Sequence, residues 1–385
     1  MSEQQPPTDW DPHADVAVED YLTVYDDMRR RCPVARSEPP QWSLFRHRDL
    51  LQVLNDHETF SNVVSSHLSV PNGMDPPEHT PYRKLIEPFF APERMVAFEP
   101  VCRQIAADLV AALDRDGDIR LIGTFAQPYA VQVQCAYLGW PASMHEPLRQ
   151  WSIQNRAAIA ARDREELARL ADEFTHFITE QLQARRDAGE QAPDDVTTRL
   201  LRAQVDGRPL EDDEIISVLR NWTAGEIGTM AASVGILVQF LAERPDIQQE
   251  VREQPAKLPE AIDEILRLHG PLVANRRVAS SPVQLHGRQI KAGERLSLFW
   301  VAANRDEEVF ADATEFRWGR DPGQNLLYGA GIHVCPGAPL ARLELRVVME
   351  ELLRATQHIE LSPNRAPVRD LYPASGFAKL PIRIR

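Results

Sequence analysis

The stretch from Glu211 to Glu243 is long and apolar, and Pro245 stops it, so it reads as one extended helix. Helical periodicity dominates on both sides of it. Val101, Ile105, Leu109 and Leu113 step by four and predict one buried stripe. Leu167, Leu170, Phe174, Phe177 and Ile178 predict another, on a charged helix from about Arg164 to Arg186. Ile262, Ile265 and Leu266 mark a short helix ended by Gly270-Pro271, and Leu340, Leu343 and Val347 mark a helix after Cys335. Strand-like alternation is confined to Val283–Leu285, Arg295–Trp300 and a C-terminal piece around Leu380–Ile384. The expected fold class is mainly α with small β-sheets. Residues 187–195 form a polar loop with helical patterns on either side, so residues 13–385 read as one domain behind a flexible N-terminus at 1–12.

Composition narrows the function classes. Hydrophobic residues at 43% and charged residues at 26% describe a globular protein rather than a disordered one. Forty-three basic against 57 acidic residues give a net charge of −14, which argues against a nucleic-acid partner. Cys32, Cys102, Cys135 and Cys335 are widely scattered, without metal-knuckle or redox spacing, as in a reducing compartment. Met1 to Pro7 is polar, with no basic or apolar leader region, and no run of about 18 consecutive apolar residues is found. The expectation is a cytoplasmic protein without a membrane span.

One cysteine stands apart. Tyr328-Gly329-Ala330-Gly331-Ile332-His333-Val334-Cys335-Pro336-Gly337 is glycine-rich and lies directly ahead of an amphipathic helix. Glycines allow a backbone to approach a flat partner closely. A helix beginning after Cys335 aims its N–H groups at the sulfur and favours the thiolate. The block resembles the haem-ligand signature of the cytochromes P450, with Tyr328 where that signature usually carries Phe, and with the glycines, His333, Cys335 and Gly337 in register. The resemblance implies haem b with Cys335 as its axial thiolate and metal ligand.

Further motifs recur in the family's order. Glu264-Ile265-Leu266-Arg267 is similar to the family's Glu-x-x-Arg pair, a structural lock behind the haem, and Arg320 is similar to its third member. Residues 75–83, Asp-Pro-Pro-Glu-His-Thr-Pro-Tyr-Arg, resemble the start of a haem-edge helix, with His79 and Arg83 one turn apart on one face. Arg277 matches another propionate-binding arginine, and His333 the signature histidine with that role. By resemblance, Leu272, Val273, Ala274, Asn275 and Phe377 line the substrate pocket over the haem, together with Ala224 of the long helix.

The long helix departs from the pattern. The family usually carries Ala/Gly-Gly-x-Asp/Glu-Thr there, the acid and threonine relaying protons. This chain reads Ala224-Gly225-Glu226-Ile227-Gly228-Thr229, which puts Ile227 at the acid and Gly228 at the threonine. Three accounts follow. Glu226 and Thr229, three apart, form a shifted relay through a distortion of the helix at the glycines; water in the space left by Gly228 carries the protons; or the enzyme uses peroxide or does not oxygenate.

The resemblance implies a monooxygenase that inserts one atom of O2 into a small or medium, largely apolar organic substrate, by hydroxylation or O-dealkylation. Electrons come from a separate ferredoxin and its NAD(P)H-dependent reductase, with Arg342 and Arg346 as candidates for the docking face. The alternatives are a peroxide-driven haem-thiolate oxygenase or reductase, and a non-catalytic haem-binding sensor or recruitment protein.

Overall fold

The computed structural model describes residues 8–12, 14, 20–37, 41–370, 372 and 374–385. In chain order the first elements are α1 (Tyr21–Arg31), β1 (Val34–Ser37), β2 (Gln41–Leu44), α2 (His47–Asn55), β3 (Phe60–Ser61), α3 (His79–Ile86) and α4 (Pro92–Ala111). After β4 (Ile119–Arg120) come α5 (Gln127–Leu138), α6 (His145–Ala161), α7 (Arg164–Ala188), α8 (Val196–Leu201), β5 (Gln204–Val205), β6 (Arg208–Pro209) and α9 (Asp212–Glu243). Next are α10 (Pro245–Glu253), α11 (Leu258–His269), β7 (Ala274–Ala279), β8 (Val283–Leu285), β9 (Arg288–Ile290), β10 (Arg295–Phe299) and α12 (Trp300–Asn304). The chain ends with α13 (Ala338–Ala355), β11 (Ile359–Leu361), β12 (Val368–Arg369), β13 (Phe377–Lys379) and β14 (Pro381–Ile384). Helices predominate and the sheets are small, as expected.

The central helix α9 starts at a capping box: the Glu211 side chain accepts from the backbone of Glu214, whose carboxylate accepts from the Glu211 N–H at 2.7 Å. Asp212, Asp213 and Glu214 in its first turn suit the positive end of the helix dipole. It ends where Pro245 opens α10. By length and composition α9 is apolar enough to cross a membrane, a segment the sequence reading did not find; 67% of that apolar window is buried inside the fold. A helix apolar on all sides is what the middle of a helical layer requires.

The helices around it bury the faces their sequences predict, with one shift. On α7, Leu170, Phe174, Ile178 and Leu182 are buried, and Asp163 caps the first turn. On α4 the buried stripe is Cys102, Ala106 and Val110, one residue along from the predicted one, and Val101 is 45% exposed. The phase is set by what α4 packs on: Cys102 lies 3.0 Å from the Tyr129 hydroxyl, which donates to the Glu344 carbonyl of α13.

The largest sheet has the order β1-β2-β10-β7-β3, with β10 parallel to β2 and its other pairs antiparallel. A second, three-stranded sheet has the order β11-β14-β4. Trp10 joins the sheet's aromatic cluster, edge-on to Phe45 and Phe299 at 5.1 and 5.2 Å, and the Asp9 carboxylate pairs with Arg288 at 2.9 Å. The described residues 8–12 therefore hold a packed tryptophan where a flexible segment was expected, because its aromatic partners lie far along the chain. Residues 1–7 and 13 lie outside the described residues.

Glu264, Arg267 and Arg320 form one buried network. Arg267 donates to both carboxylate oxygens of Glu264, at 2.6 and 2.9 Å, and to the carbonyls of Asn304 and Ala313. Arg320 Nε adds a bond to Glu264 Oε1 at 2.7 Å, and the Arg317 N–H a further one at 3.1 Å. The network ties α11 to the end of α12 and to the long loop that leads towards Cys335. Breaking a buried ion pair strands a charge, whereas an exposed pair contributes little. Glu264→Ala is expected to cost about 3–5 kcal/mol of stability, read as a lower midpoint in urea denaturation, while Glu166→Ala, on the exposed face of α7, leaves the midpoint within error.

Candidate active site

Cys335 sits on a short turn between two one-turn 3-10 segments and α13. Its N–H donates to the Tyr328 carbonyl at 2.8 Å, and its own carbonyl accepts from Ala338 at 3.3 Å, so the sulfur is presented at the mouth of the helix. Gly331 has φ +70, and a Cβ there would fall on the carbonyl oxygen of Leu54, so no other residue fits against α2. Burial pushes the Cys335 thiol up, opposed by the Gly337 and Ala338 backbone N–H groups. The helix start therefore favours the thiolate as expected, without outweighing desolvation; a metal ion bound there would supply the missing positive charge. The Tyr328 ring lies under the Arg342 guanidinium at 4.4 Å, and its buried hydroxyl has no hydrogen-bond partner.

The sulfur borders a cavity of about 1,090 Å³. Ala224, Gly225, Gly228 and Thr229 of α9 line it as well, with Leu272, Ala274, Asn275 and Phe377. Val273 does not. It is 3% exposed and packs in the aromatic cluster of Phe45 and Phe299, held beside β10 by the Trp300 N–H that donates to its carbonyl at 3.1 Å. The wall is also less apolar than expected. Arg220, Arg276, Asn155 and Asn221 line it, and among the described residues Arg276 has no side-chain hydrogen bond or ion pair. Arg276 is exposed and Arg277 buried, and both border the cavity.

At the rim, three expected groups meet. The His79 and His333 rings lie 4.4 Å apart, each with a buried Nε2 that has no partner. Arg277 is buried, donates to the Arg276 carbonyl at 2.8 Å, and is pushed down by burial to about 10. Burial lowers His333 to about 3, helped by the nearby His79 and Arg277. Arg83 stands beside them, bonded to the Val334 carbonyl at 2.6 Å and to Glu87 at 2.9 Å. Unpartnered buried donors at one point, with their charged forms suppressed, are what an anionic partner would relieve. A group with a planar body over Cys335 and two carboxylates at this rim fits those residues, and haem b is such a group.

The α9 wall corrects the expected relay. The helix is unbroken from Ala224 to Thr229. The Thr229 hydroxyl donates to the Gly225 carbonyl at 2.6 Å and lies 3.3 Å from that of Glu226; the Glu226 carboxyl does not pair with it. Instead Glu226 meets Glu344 of α13, and burial pushes both upward. Both Gly225 and Gly228 face open space, with nothing within 4 Å of where a Cβ would stand. Sequence reasoning missed Glu344, which reads as one more charge on the helix after Cys335. Arg342 and Arg346 are engaged in ion pairs, with Asp263 at 3.2 Å and with Glu99 at 2.6 Å.

The chain is similar to known proteins along most of its length. The family model described as Cytochrome P450 matches residues 140–384. The chain is 32% identical over 342 residues to the erythromycin C-12 hydroxylase of Saccharopolyspora erythraea, covering 85% of this chain and 84% of that one. It is 32% identical over 373 residues to the cyclomarin C epoxidase CymV of Salinispora arenicola, covering 91% and 92%. Among solved structures, cytochrome P450 CYP109Q5 from Chondromyces apiculatus superposes with a TM-score of 0.88 at 26% identity, covering 97% and 98%. A mutant of P450 EryK in complex with erythromycin B does so with a TM-score of 0.86 at 28% identity, covering 95% and 96%.

Removing one charged donor from the rim is expected to weaken haem retention. Arg277→Ala is expected to lose about 1.5–3 kcal/mol of haem affinity, the worth of a hydrogen bond to a charged group, measured as faster haem transfer to apomyoglobin.

Proposed function

Because the chain belongs to the cytochrome P450 family and is a haem-thiolate monooxygenase, we propose that it inserts one oxygen atom into a medium-sized organic molecule with a largely apolar body and a polar edge, with electrons from a separate ferredoxin and its NAD(P)H-dependent reductase. The observation that carries this reading is the opposition, across one cavity, of the Cys335 sulfur and the bare face of α9 at Gly225, Gly228 and Thr229. Haem, held by Cys335 with His79, Arg83, Arg277 and His333 towards its carboxylates, supplies the oxygen chemistry, since a thiolate ligand favours O–O cleavage.

The chain's own residues do the rest. Gly228 keeps the reacting space clear of side chains. Thr229 holds a hydroxyl at the cavity wall, committed to the Gly225 carbonyl and so fixed in direction. Leu272, Ala274 and Phe377 offer apolar surface to the substrate body, and exclude water from it. Arg220 and Arg276 offer donors to a polar or anionic edge. The cavity of about 1,090 Å³ has to hold haem as well as substrate, which leaves room for a small or medium-sized organic molecule. Two relatives carry names that place them on erythromycin and on mycinamicin IV, and a third is named linalool 8-monooxygenase, so the relatives' names span small and larger organic substrates.

The test is product formation with the spin-shifting compounds of a substrate screen, under two regimes. Turnover with a ferredoxin, its reductase and NADPH, dependent on oxygen, is the expected result. Efficient turnover with hydrogen peroxide alone would overturn the reading for a peroxide-driven enzyme, and a spin shift without any product would overturn it for a sensor. Cys335→Ala is expected to abolish the red-shifted carbon monoxide band of the reduced protein, together with turnover.

A further inference from the structure

Glu226 and Glu344 are a pair of carboxyl groups with no counter-charge among the described residues. Glu344 is 0% exposed, and neither of its carboxyl oxygens has a hydrogen-bond donor. Glu226 Oε1 is equally buried and equally without one. The charged and titratable groups that face the pair from the packed elements are Cys102 on α4, Tyr129 and Tyr137 on α5, and Tyr328 and Cys335 on the cysteine loop. No arginine or lysine is among them. Nor do the tyrosines on α5 serve as donors: Tyr129 donates to the Glu344 backbone carbonyl at 2.8 Å, and Tyr137 to that of Phe89 at 2.7 Å. Among the described residues the Tyr328 hydroxyl has no hydrogen-bond partner.

Ionised carboxylates only accept hydrogen bonds, so two that face each other in an apolar core require a proton between them. Carboxyl pairs of this kind titrate as a unit. Their position gives that proton somewhere to go. Glu226 borders the cavity, its own backbone carbonyl lies 3.3 Å from the Thr229 hydroxyl, and the next residue is Ile227, where an acid would otherwise stand.

We propose that Glu226 and Glu344 share one proton and act as the proton store of the α9 wall, Glu226 handing that proton into the cavity beside Thr229 and Glu344 holding Glu226 ready to receive the next. The proposal rests on the monooxygenase reading. It replaces the Glu226–Thr229 relay, which the geometry does not form, with a carboxyl–carboxyl pair between α9 and α13. The proton balance is simple. Each proton handed over is replaced by one drawn from bulk solvent through water at the cavity, so the pair is not left doubly charged, and the electrons come from NADPH through the redox partner. Oxygen taken to peroxide consumes two electrons and two protons; oxygen taken to water consumes four of each. A failing proton supply therefore shows as more peroxide per NADPH.

The experiment compares the wild-type holoenzyme with Glu226→Gln and Glu344→Gln, both nearly isosteric, each checked for full haem content and an unchanged absolute spectrum. Infrared difference spectroscopy at neutral pH is expected to show the carbonyl stretch of a protonated carboxylic acid in the wild type and its loss in both variants. Oxygen consumed and peroxide released per NADPH are then measured with a surrogate ferredoxin and reductase, without organic substrate. Glu226→Gln is expected to raise the peroxide-to-water ratio by about tenfold, less than the full worth of a general acid, with a smaller rise for Glu344→Gln and an altered pH profile in both. No protonated carboxyl in the wild type, or its loss with an unchanged ratio and pH profile, overturns the proposal. A ratio that responds while no organic compound is ever oxygenated overturns the monooxygenase reading instead.

Discussion

The position of the cysteine depends on an ion pair that never touches it. Arg267 and Glu264 lie on one turn of α11, 1% and 4% exposed, and between them they bind the end of α12, the loop at Ala313 and Arg317, and Arg320. A second layer continues the chain of contacts: the Asn304 side chain accepts from the Leu326 N–H at 2.8 Å and donates to Asn325 at 3.0 Å. Leu326 begins the turn that carries Tyr328, and Tyr328 receives the Cys335 N–H. Two buried charges with good geometry thus hold in register a loop that has little regular structure of its own. Such a loop cannot rely on helix or strand hydrogen bonds, and the polar network takes their place.

The two walls of the cavity answer to different kinds of constraint. Below, glycines, a cysteine and backbone bonds leave almost no latitude. Above, α9 is a continuous helix whose cavity face has been stripped of side chains at Gly225 and Gly228, and whose acidic residue has turned away towards α13.

How much of this was legible in the sequence follows from the range of the interactions. Cys335, His333, Gly337 and the Glu264–Arg267 pair could be read because spacing along a few residues fixes their geometry. The ends of α9 and α11 were equally legible, since Gly270 and Pro245 act locally, and so were β8, β10 and β14; the other strands, most of them two to four residues long and paired with remote segments, were not. Three readings failed where the deciding partner is remote. The stripe on α4 came out one residue off because Cys102 and Ala106, small and inconspicuous, face α13, while Val101 faces outward. Val273 was placed in the pocket, but its carbonyl is bonded to the Trp300 N–H and its side chain joins the aromatic cluster, both through residues far along the chain. Glu226 was paired with its near neighbour Thr229 on spacing alone, whereas the packing of α9 on α13 decides its direction. Trp10 is the same case at the chain's start, buried by Phe45 and Phe299.

The contact between Gly331 and the Leu54 carbonyl acts as a gauge block. It is backbone against backbone, so no neighbouring side chain can be enlarged, shrunk or recharged to compensate for a change there. The height of the sulfur above α2 is therefore inherited as a fixed datum, much as a machine part is referenced to one ground face. Divergence within such a scaffold has to proceed by moving everything else relative to that face. A protein built this way can explore new substrates freely from above while remaining unable to renegotiate its floor.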